Sequence, residues 1–154
     1  VKKAFAIITI ISALIMSSCG QPIFARIGGT LEQNIDYHPE TFDDAWYWVA
    51  NNIRYKRDPF LGLKRLPEET YALKYGDCED FSLLLAYFGN QLGEDVRVVA
   101  GYDSKGNAHC VCRYNGVLIE PQEYNGIIPE SAFDIWKEYS YEEALYTTEI
   151  RTVE

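Results

Sequence analysis

The sequence predicts an α+β domain in which a cysteine-bearing helix packs on a small antiparallel sheet. Three observations carry that expectation. Phe81, Leu84, Leu85, Phe88 and Leu92 recur at the 3.6-residue period of a buried helix face directly behind Gly76-Asp77-Cys78, with Gly93 where a left-handed C-cap belongs. From Val96 onward the texture changes to β-rich runs separated by turn residues, including Asn115-Gly116, the strongest two-residue hairpin signal. A second amphipathic helix upstream supplies another apolar face to cover the sheet.

The chain opens on Lys2-Lys3, an almost wholly apolar run from Ala4 to Met16, and Ser17-Ser18-Cys19-Gly20. This is the pattern of an export signal, and the apolar run is too short to span a bilayer comfortably. A cysteine directly after two small residues resembles a bacterial lipobox, with Met16 where leucine is more usual. Cys19 is then the lipid-modified first residue of an exported, membrane-anchored protein, periplasmic or at the cell surface. The alternative is an ordinary cleaved signal in which Cys19 is incidental. The expected division is residues 1–18 as signal peptide, 19–37 as tether and lead-in, and 38–154 as one domain, a length that supports one core and not two.

Charge and cysteine usage narrow the function. The chain carries 23 acidic against 14 basic residues, a formal charge of −9 that grows more negative once Lys2 and Lys3 leave with the signal. Binding to phosphate backbones through a basic surface is thereby excluded, and nucleic acid is not an expected partner. Beyond Cys19 the cysteines are Cys78, Cys110 and Cys112, an odd number that argues against a disulfide framework and leaves at least one free thiol. Nothing in the sequence asks for a metal or a cofactor.

The first helix is expected from Thr41 to about Tyr55, with Phe42, Ala45, Trp46, Val49, Ala50 and Ile53 on its buried face and Thr41 and Asp44 as a capping-box pair. Arg54 to Pro67 reads as a basic surface loop, and His38 as solvated surface. Pro67-Glu68-Glu69-Thr70 starts a short helix that breaks at Gly76. Asp77 is the natural N-cap of the next helix, with Asp80 in a capping-box position, and Cys78 falls in its first turn. There the unpaired N–H groups and the positive helix end favour a thiolate. Taken alone, Cys78 could equally be a small core residue. Strands follow at Val96–Tyr102, His109–Tyr114 and Val117 to about Pro121, forming an antiparallel meander. Beyond Tyr124 the pattern weakens, with Ser140 and Glu143 as caps of a short helix and Tyr146–Val153 as an edge strand.

The turn at Asn115-Gly116 fixes the hairpin register: Tyr114 faces Val117, Arg113 faces Leu118, Cys112 faces Ile119 and Val111 faces Glu120. His109 and Glu120 then share a face as diagonal neighbours, about 7 Å apart at the backbone and within side-chain reach. Cys110 and Cys112 point the other way and read as small core residues, too splayed along one strand to bridge each other. On this register, a structure with either thiol lining the cleft of Cys78 means that the pairing has slipped. Cys78 at a helix start, His109 on a strand and Glu120 aimed at it make the order and geometry of a Cys-His-acid triad, with Gln122 as a reserve orienting residue.

Pro67-Glu68-Glu69-Thr70, Gly76-Asp77-Cys78-Glu79-Asp80-Phe81, Gly101, the His109 strand and Ile119-Glu120-Pro121 resemble the transglutaminase-like superfamily, including its bacterial cysteine-protease branch. The resemblance covers roughly Thr41 to Gln122 and is most specific in the glycine-aspartate-cysteine block. It implies a papain-like α+β core and a triad of cysteine, histidine and usually aspartate. Here Glu120 stands where aspartate is usual, and Cys110-Val111 follows His109 where a small residue and an aromatic are common.

These residue types permit acyl transfer from an amide. Cys78 attacks the carbonyl, His109 passes the proton to the leaving amine, and Glu120 holds the imidazole in its working tautomer. The Cys78 backbone N–H supplies one oxyanion donor; the candidates for a second are Trp46, Trp48 or a tyrosine hydroxyl. Against activation stand Asp77, Glu79 and Asp80, whose charges raise a thiolate's pKa and must be outweighed by the helix end and His109. The expected function is a lipid-anchored cysteine hydrolase that cleaves peptide or isopeptide bonds in the cell envelope, with a protein or peptide substrate. The alternatives are a transamidase, and a non-catalytic binding or assembly module of the envelope.

Overall fold

The structure is a computed structural model that describes residues 35–57 and 64–147. The export signal and Cys19 lie outside the described residues.

Helix α1 (Phe42–Asn52) starts on a full capping box: Asp44 N–H donates to Thr41 Oγ1 at 3.1 Å, and Thr41 N–H donates to Asp44 Oδ2 at 3.1 Å. It ends short of Tyr55. Arg54–Tyr55 instead forms a two-residue strand, β1, in parallel with β2 (Tyr75–Gly76), the segment leading into Cys78. Arg54 N–H reaches Lys74 O at 2.9 Å and Lys56 N–H reaches Gly76 O at 2.8 Å, and these bonds draw the chain out of the helix. Between the two strands, α2 (Pro67–Leu73) begins with proline at its first position and ends at Lys74 in the left-handed conformation.

Helix α3 (Cys78–Gln91) is the centre of the core, with Leu83, Leu84, Leu85 and Ala86 wholly buried. Gly93, at φ +75°, closes it, with Glu94 N–H returning to Gly89 O at 2.9 Å. Gly89 is also a close-approach position, because a side chain there would strike Val96 on the sheet below.

The sheet contains β3 (Val96–Asp103), β4 (Ala108–Tyr114), β5 (Val117–Ile119), β6 (Ile127–Ile128) and β7 (Phe133–Tyr139), in the order β6-β5-β4-β3-β7 with every neighbour antiparallel. The β4–β5 register is the expected one, with Tyr114 opposite Val117, Arg113 opposite Leu118 and Cys112 opposite Ile119. Asn115 at φ 49° and Gly116 at φ 78° supply the two left-handed residues that such a hairpin turn needs. One face, with Val96, Val98, Ala100, Cys110, Cys112 and Ile119, packs against α1 and α3 in the main core. The other carries a smaller cluster of Val99, Val111, Leu118 and Phe133.

Two features depart from the sequence reading. β5 ends at Ile119 rather than near Pro121, because Glu120 N–H is taken by Gly126 O at 2.8 Å in the loop to β6. β7 was not expected at all. Its pairing with β3 shifts register between Ala100 and Gly101, so Trp136 is left over. The bulge reverses the facing of the strand: Phe133 joins the smaller cluster, whereas Tyr139 enters the main core. A strand that changes face midway has no continuous alternation to recognise. The expected strand at Tyr146–Val153 is not found where it is described, since Tyr146 closes helix α4 (Tyr141–Tyr146), and residues 148–154 lie outside the described residues. No helix among the described residues is long and apolar enough to cross a membrane.

Candidate active site

The site is built around the first turn of α3. Asp77 caps it through Oδ1, which accepts from Glu79 N–H at 3.2 Å and Asp80 N–H at 3.5 Å. Asp80 folds back so that Oδ2 accepts from Asp77 N–H at 3.1 Å. Such a fold-back needs Gly76, because a Cβ at that position would stand 2.5 Å from the Asp80 Cβ. Asp80 is fully buried and is matched by Arg65, whose backbone N–H donates at 2.8 Å and whose guanidinium donates at 2.6 Å. Burial pushes the Asp80 carboxyl up, and the Arg65 and Asp77 donors pull against that. Lys64 donates to the main-chain oxygens of Ala144, Leu145 and Thr147 at the end of α4. Arg65 and Lys64 are therefore structural cations, not the solvated surface that the loop suggests; His38 is exposed. The result is a rigid platform with Cys78, partly buried, as the first helical residue.

The opposing groups come from β4 and from the loop after β5. His109 Nε2 lies 2.6 Å from Glu120 Oε2. Glu120 is fixed from several sides: Oε1 accepts from Gln122 N–H at 3.1 Å, and the main-chain oxygen accepts from Trp46 Nε1 at 2.9 Å. Gln122 thus acts through its backbone on Glu120, and Glu120 is the group in contact with the ring. Cys78 is near enough to His109 and Cys110 for these groups to shift its titration. With Nε2 engaged by Glu120, Nδ1 is the ring nitrogen left for the thiol.

The influence of Cys110 on Cys78 corrects the sequence reading. Cys110 and Cys112 do alternate away from Val111, into the core beneath α3, and the register is the expected one. Cys110 nevertheless bears on the Cys78 thiol, because α3 sits over the sheet face that Cys110 points to. His109 is only the second residue of β4, near the end of the sheet, where its ring also meets Phe133 of the smaller cluster at 6.3 Å between centroids. A side chain at that end can reach the helix start from the opposite face. A thiol beside Cys78 is thus no sign of slipped pairing. Cys112, wholly buried, donates to Ser82 O at 3.4 Å and is a core residue.

Electrostatics favour the charged thiol. The Cys110 hydrogen bond, opposed by burial and assisted by the hydrogen bond and positive charge of His109, brings Cys78 down to about 5. Burial alone would lower His109, but its bonds to Cys78 and Glu120 and their charges carry it up to about 10. Both directions describe a thiolate–imidazolium pair across neutral pH. Of the carboxylates that threatened this pair, Glu79 is less charged than it looks. Burial first, then Asp77, Cys78 and Asp80, push Glu79 up to about 8, so it is largely neutral at pH 7.

Of the donors considered for an oxyanion, Trp46 has its indole N–H committed to Glu120 O. Trp48 is stacked between Tyr37 and Tyr71, at 4.9 and 5.1 Å between ring centroids, with Lys74 over its face. A tyrosine remains: Tyr55 is exposed, and burial and then the charges of Cys78 and Asp77 raise its phenol. Tyr55 comes to this place through β1, which pairs it with Gly76, two residues before the thiol. Among the described residues, no group of three or more histidine, cysteine and carboxylate side chains is arranged to hold a metal ion.

A thiol at a helix N-terminus, electrostatically linked to an imidazole on an adjoining antiparallel sheet, defines an α+β class of protein with a cysteine-centred site. The chain belongs to the transglutaminase-like superfamily, whose family model matches residues 27–146. Its fold is similar to that of Legionella pneumophila LapG, with a TM-score of 0.55 and 18% identity over 64% of this chain and 62% of LapG. The calcium-bound form of LapG gives a TM-score of 0.55 at 17% identity over 64% of this chain and 62% of that one. This chain therefore spans less than two thirds of the LapG chain that it matches. Among proteins of curated function, none matches the sequence.

Proposed function

We propose that the protein is a cysteine hydrolase of peptide or isopeptide amide bonds, exported and anchored by lipid on Cys19, and that Cys78, His109 and Glu120 are its triad. The observation that carries this reading is the 2.6 Å contact of His109 Nε2 with Glu120, next to a Cys78 thiol at the helix start that His109 helps to bring down to about 5. In the proposed mechanism the Cys78 thiolate adds to the amide carbonyl, and the tetrahedral oxyanion is received by the Cys78 backbone N–H and the Tyr55 hydroxyl. The His109 imidazolium gives its proton to the departing amine, and the neutral ring then takes one from the water that releases the acyl group. Glu120 holds the ring and stabilises its charge. Hydrolysis is favoured over transamidation because water is always present, whereas an amine acceptor needs a site that excludes it.

The test is selective alkylation. Limiting iodoacetamide at mildly acidic pH, followed by peptide mapping, should modify Cys78 well before Cys110 or Cys112. If Cys78 in the folded, reduced protein reacts no faster than an ordinary thiol, the hydrolase reading falls and a non-catalytic envelope binding module becomes the better one. Trapping an acyl-enzyme from candidate envelope peptides, with or without an added amine, then identifies the substrate and separates hydrolase from transamidase.

A further inference from the structure

Glu120 stands one residue beyond the last paired position of the β4–β5 ladder, where Cys112 lies opposite Ile119, so the sheet does not fix its carboxylate. The loop 120–126 does. Glu120 N–H donates to Gly126 O at 2.8 Å, Glu123 N–H to Glu120 O at 3.2 Å, and Gly126 N–H to Glu123 O at 2.9 Å. Asn125, at φ 63°, takes the left-handed conformation that closes the loop and that asparagine tolerates. Gly126 packs so tightly against the acid that a Cβ there would stand 2.9 Å from Glu123 O and 3.0 Å from the Glu120 Cβ. Within this closed loop, Oε1 accepts from Gln122 N–H at 3.1 Å and Oε2 meets His109 Nε2 at 2.6 Å.

A loop beyond a strand end needs an anchor, and α1 supplies it. Asp43, Trp46 and Tyr47 recur at i, i+3 and i+4 and so share one face of that helix. Tyr124 sits on this face: its ring meets Trp46 edge-on at 5.6 Å and Tyr47 at 5.2 Å between centroids, and its hydroxyl donates to Asp43 Oδ2 at 2.7 Å. Trp46 is buried and makes the second attachment, with Nε1 donating to Glu120 O at 2.9 Å. One attachment is thus at the acid itself and the other is at the far side of its loop.

We propose that Trp46 and Tyr124 are positioning residues of the site: they pin the loop 120–126 to α1 and thereby set the approach of Glu120 to His109. Neither touches the reacting atoms. Trp46 acts through the main chain of Glu120, and Tyr124 acts through the loop that closes on it. The carboxylate orients the imidazole only while Oε2 stays within hydrogen-bond range of Nε2, and a loop freed from α1 loses that constraint. A displacement of ~1 Å at such a contact can cost ~10²-fold in rate, so a bond made on α1 reaches the chemistry. That α1 holds the acid is independent of catalysis; its consequence for turnover rests on the hydrolase reading.

The experiment is NMR of the folded protein carrying isotope-labelled histidine, in which the chain's two histidines give two signals and exposed His38 is the internal control. In the wild type the His109 Nε2 proton, held by Glu120, should be shifted downfield and protected from exchange. Trp46→Phe removes the indole N–H and should broaden or abolish that signal while leaving His38 unchanged. Tyr124→Phe and Asp43→Ala remove the hydroxyl bond without removing a ring and should each weaken it, whereas Asp43→Asn keeps an oxygen acceptor and should restore it. Cys78 alkylation at mildly acidic pH should fall in the same order, and any turnover should fall in kcat with KM little changed. Should Trp46→Phe fail to fold, the comparison of Asp43→Ala with Asp43→Asn decides alone. A His109 signal as strong as wild type in folded Trp46→Phe, or equal in Asp43→Ala and Asp43→Asn, overturns the proposal. A disturbed His109 signal in a protein that cleaves nothing counts against the hydrolase reading only; cleavage with a His109 signal indifferent to these variants counts against this inference only.

Discussion

Cys78 and His109 titrate as one unit, so the pH profile belongs to the pair. Rising pH removes the thiol proton near 5, while the imidazolium keeps its proton to about 10. The reactive ion pair therefore exists between those limits. Alkylation of Cys78 should rise through about pH 5 and then hold a plateau, and any hydrolytic rate should fall again as pH approaches 10. Removing the imidazole with His109→Ala takes away one hydrogen bond and the nearby cation. Cys78 then moves toward the ~8.5 of a free thiol, and its alkylation at pH 6 should drop by more than about tenfold. Glu120→Gln keeps a partner for the ring without its charge and should give an intermediate loss. Tyr55→Phe should leave alkylation nearly unchanged yet slow acyl transfer by roughly 10²-fold, the usual cost of one oxyanion donor. A single-turnover measurement on an activated ester separates the two effects; equal rates for Tyr55→Phe and wild type exclude the phenol as a donor.

Among the elements, the start of α3 and the β3–β7 seam hold the site. Asp80 gathers the Asp77 and Arg65 donors at zero exposure, and Asp80→Asn removes the carboxylate that the Arg65 guanidinium meets at 2.6 Å. Breaking a buried pair on one side costs about 3–5 kcal/mol, which urea unfolding would read as a lower midpoint. The opposite sign is expected at Thr70 on α2, whose buried hydroxyl has no hydrogen-bond partner among the described residues. Thr70→Val replaces it with a methyl group of similar size and should raise stability by about 1 kcal/mol. At the seam, Gly101 faces His109 across β4, and a Cβ there would strike the Asp134 carbonyl and the Phe133 ring. Gly101→Ala must push β7 off β3 and disturb the ring that packs on His109. The expected result is a loss of about 1–3 kcal/mol, the range for overpacking, together with weaker Cys78 selectivity in the folded protein.

For the molecule as a whole, the acidic balance and the leading signal pattern bear on where it works. With 23 acidic against 14 basic residues, the charge balance argues against binding to anionic lipid through a basic surface. Lipid on Cys19 is the proposed source of membrane association. Expression behind the native signal should give membrane-bound protein, and Cys19→Ser with a non-lipoprotein signal should release it to the soluble fraction. Incorporation of a fatty-acid analogue that persists in Cys19→Ser would refute the anchor. The match to about 62% of LapG concerns the core and leaves the substrate to be found by trapping on this chain.

By itself the sequence determined whatever depends on near neighbours. The Asp77–Asp80 cap, the buried face of α3, the Asn115-Gly116 turn and the β4–β5 register are set by contacts a few residues apart or by a tight turn, and the reach of Glu120 to His109 follows from that register. Tertiary structure alone decided what depends on how α3 lies across the sheet. That placement lets Cys110 bear on the Cys78 thiol and buries Glu79 until it holds its proton. It also turns Arg65 from a loop cation into the partner of Asp80, and lets β7 enter beside β3 through a bulge that hides its alternation. These are contacts between segments distant in the chain, and their energies come from burial and packing, which no local spacing of residue types encodes.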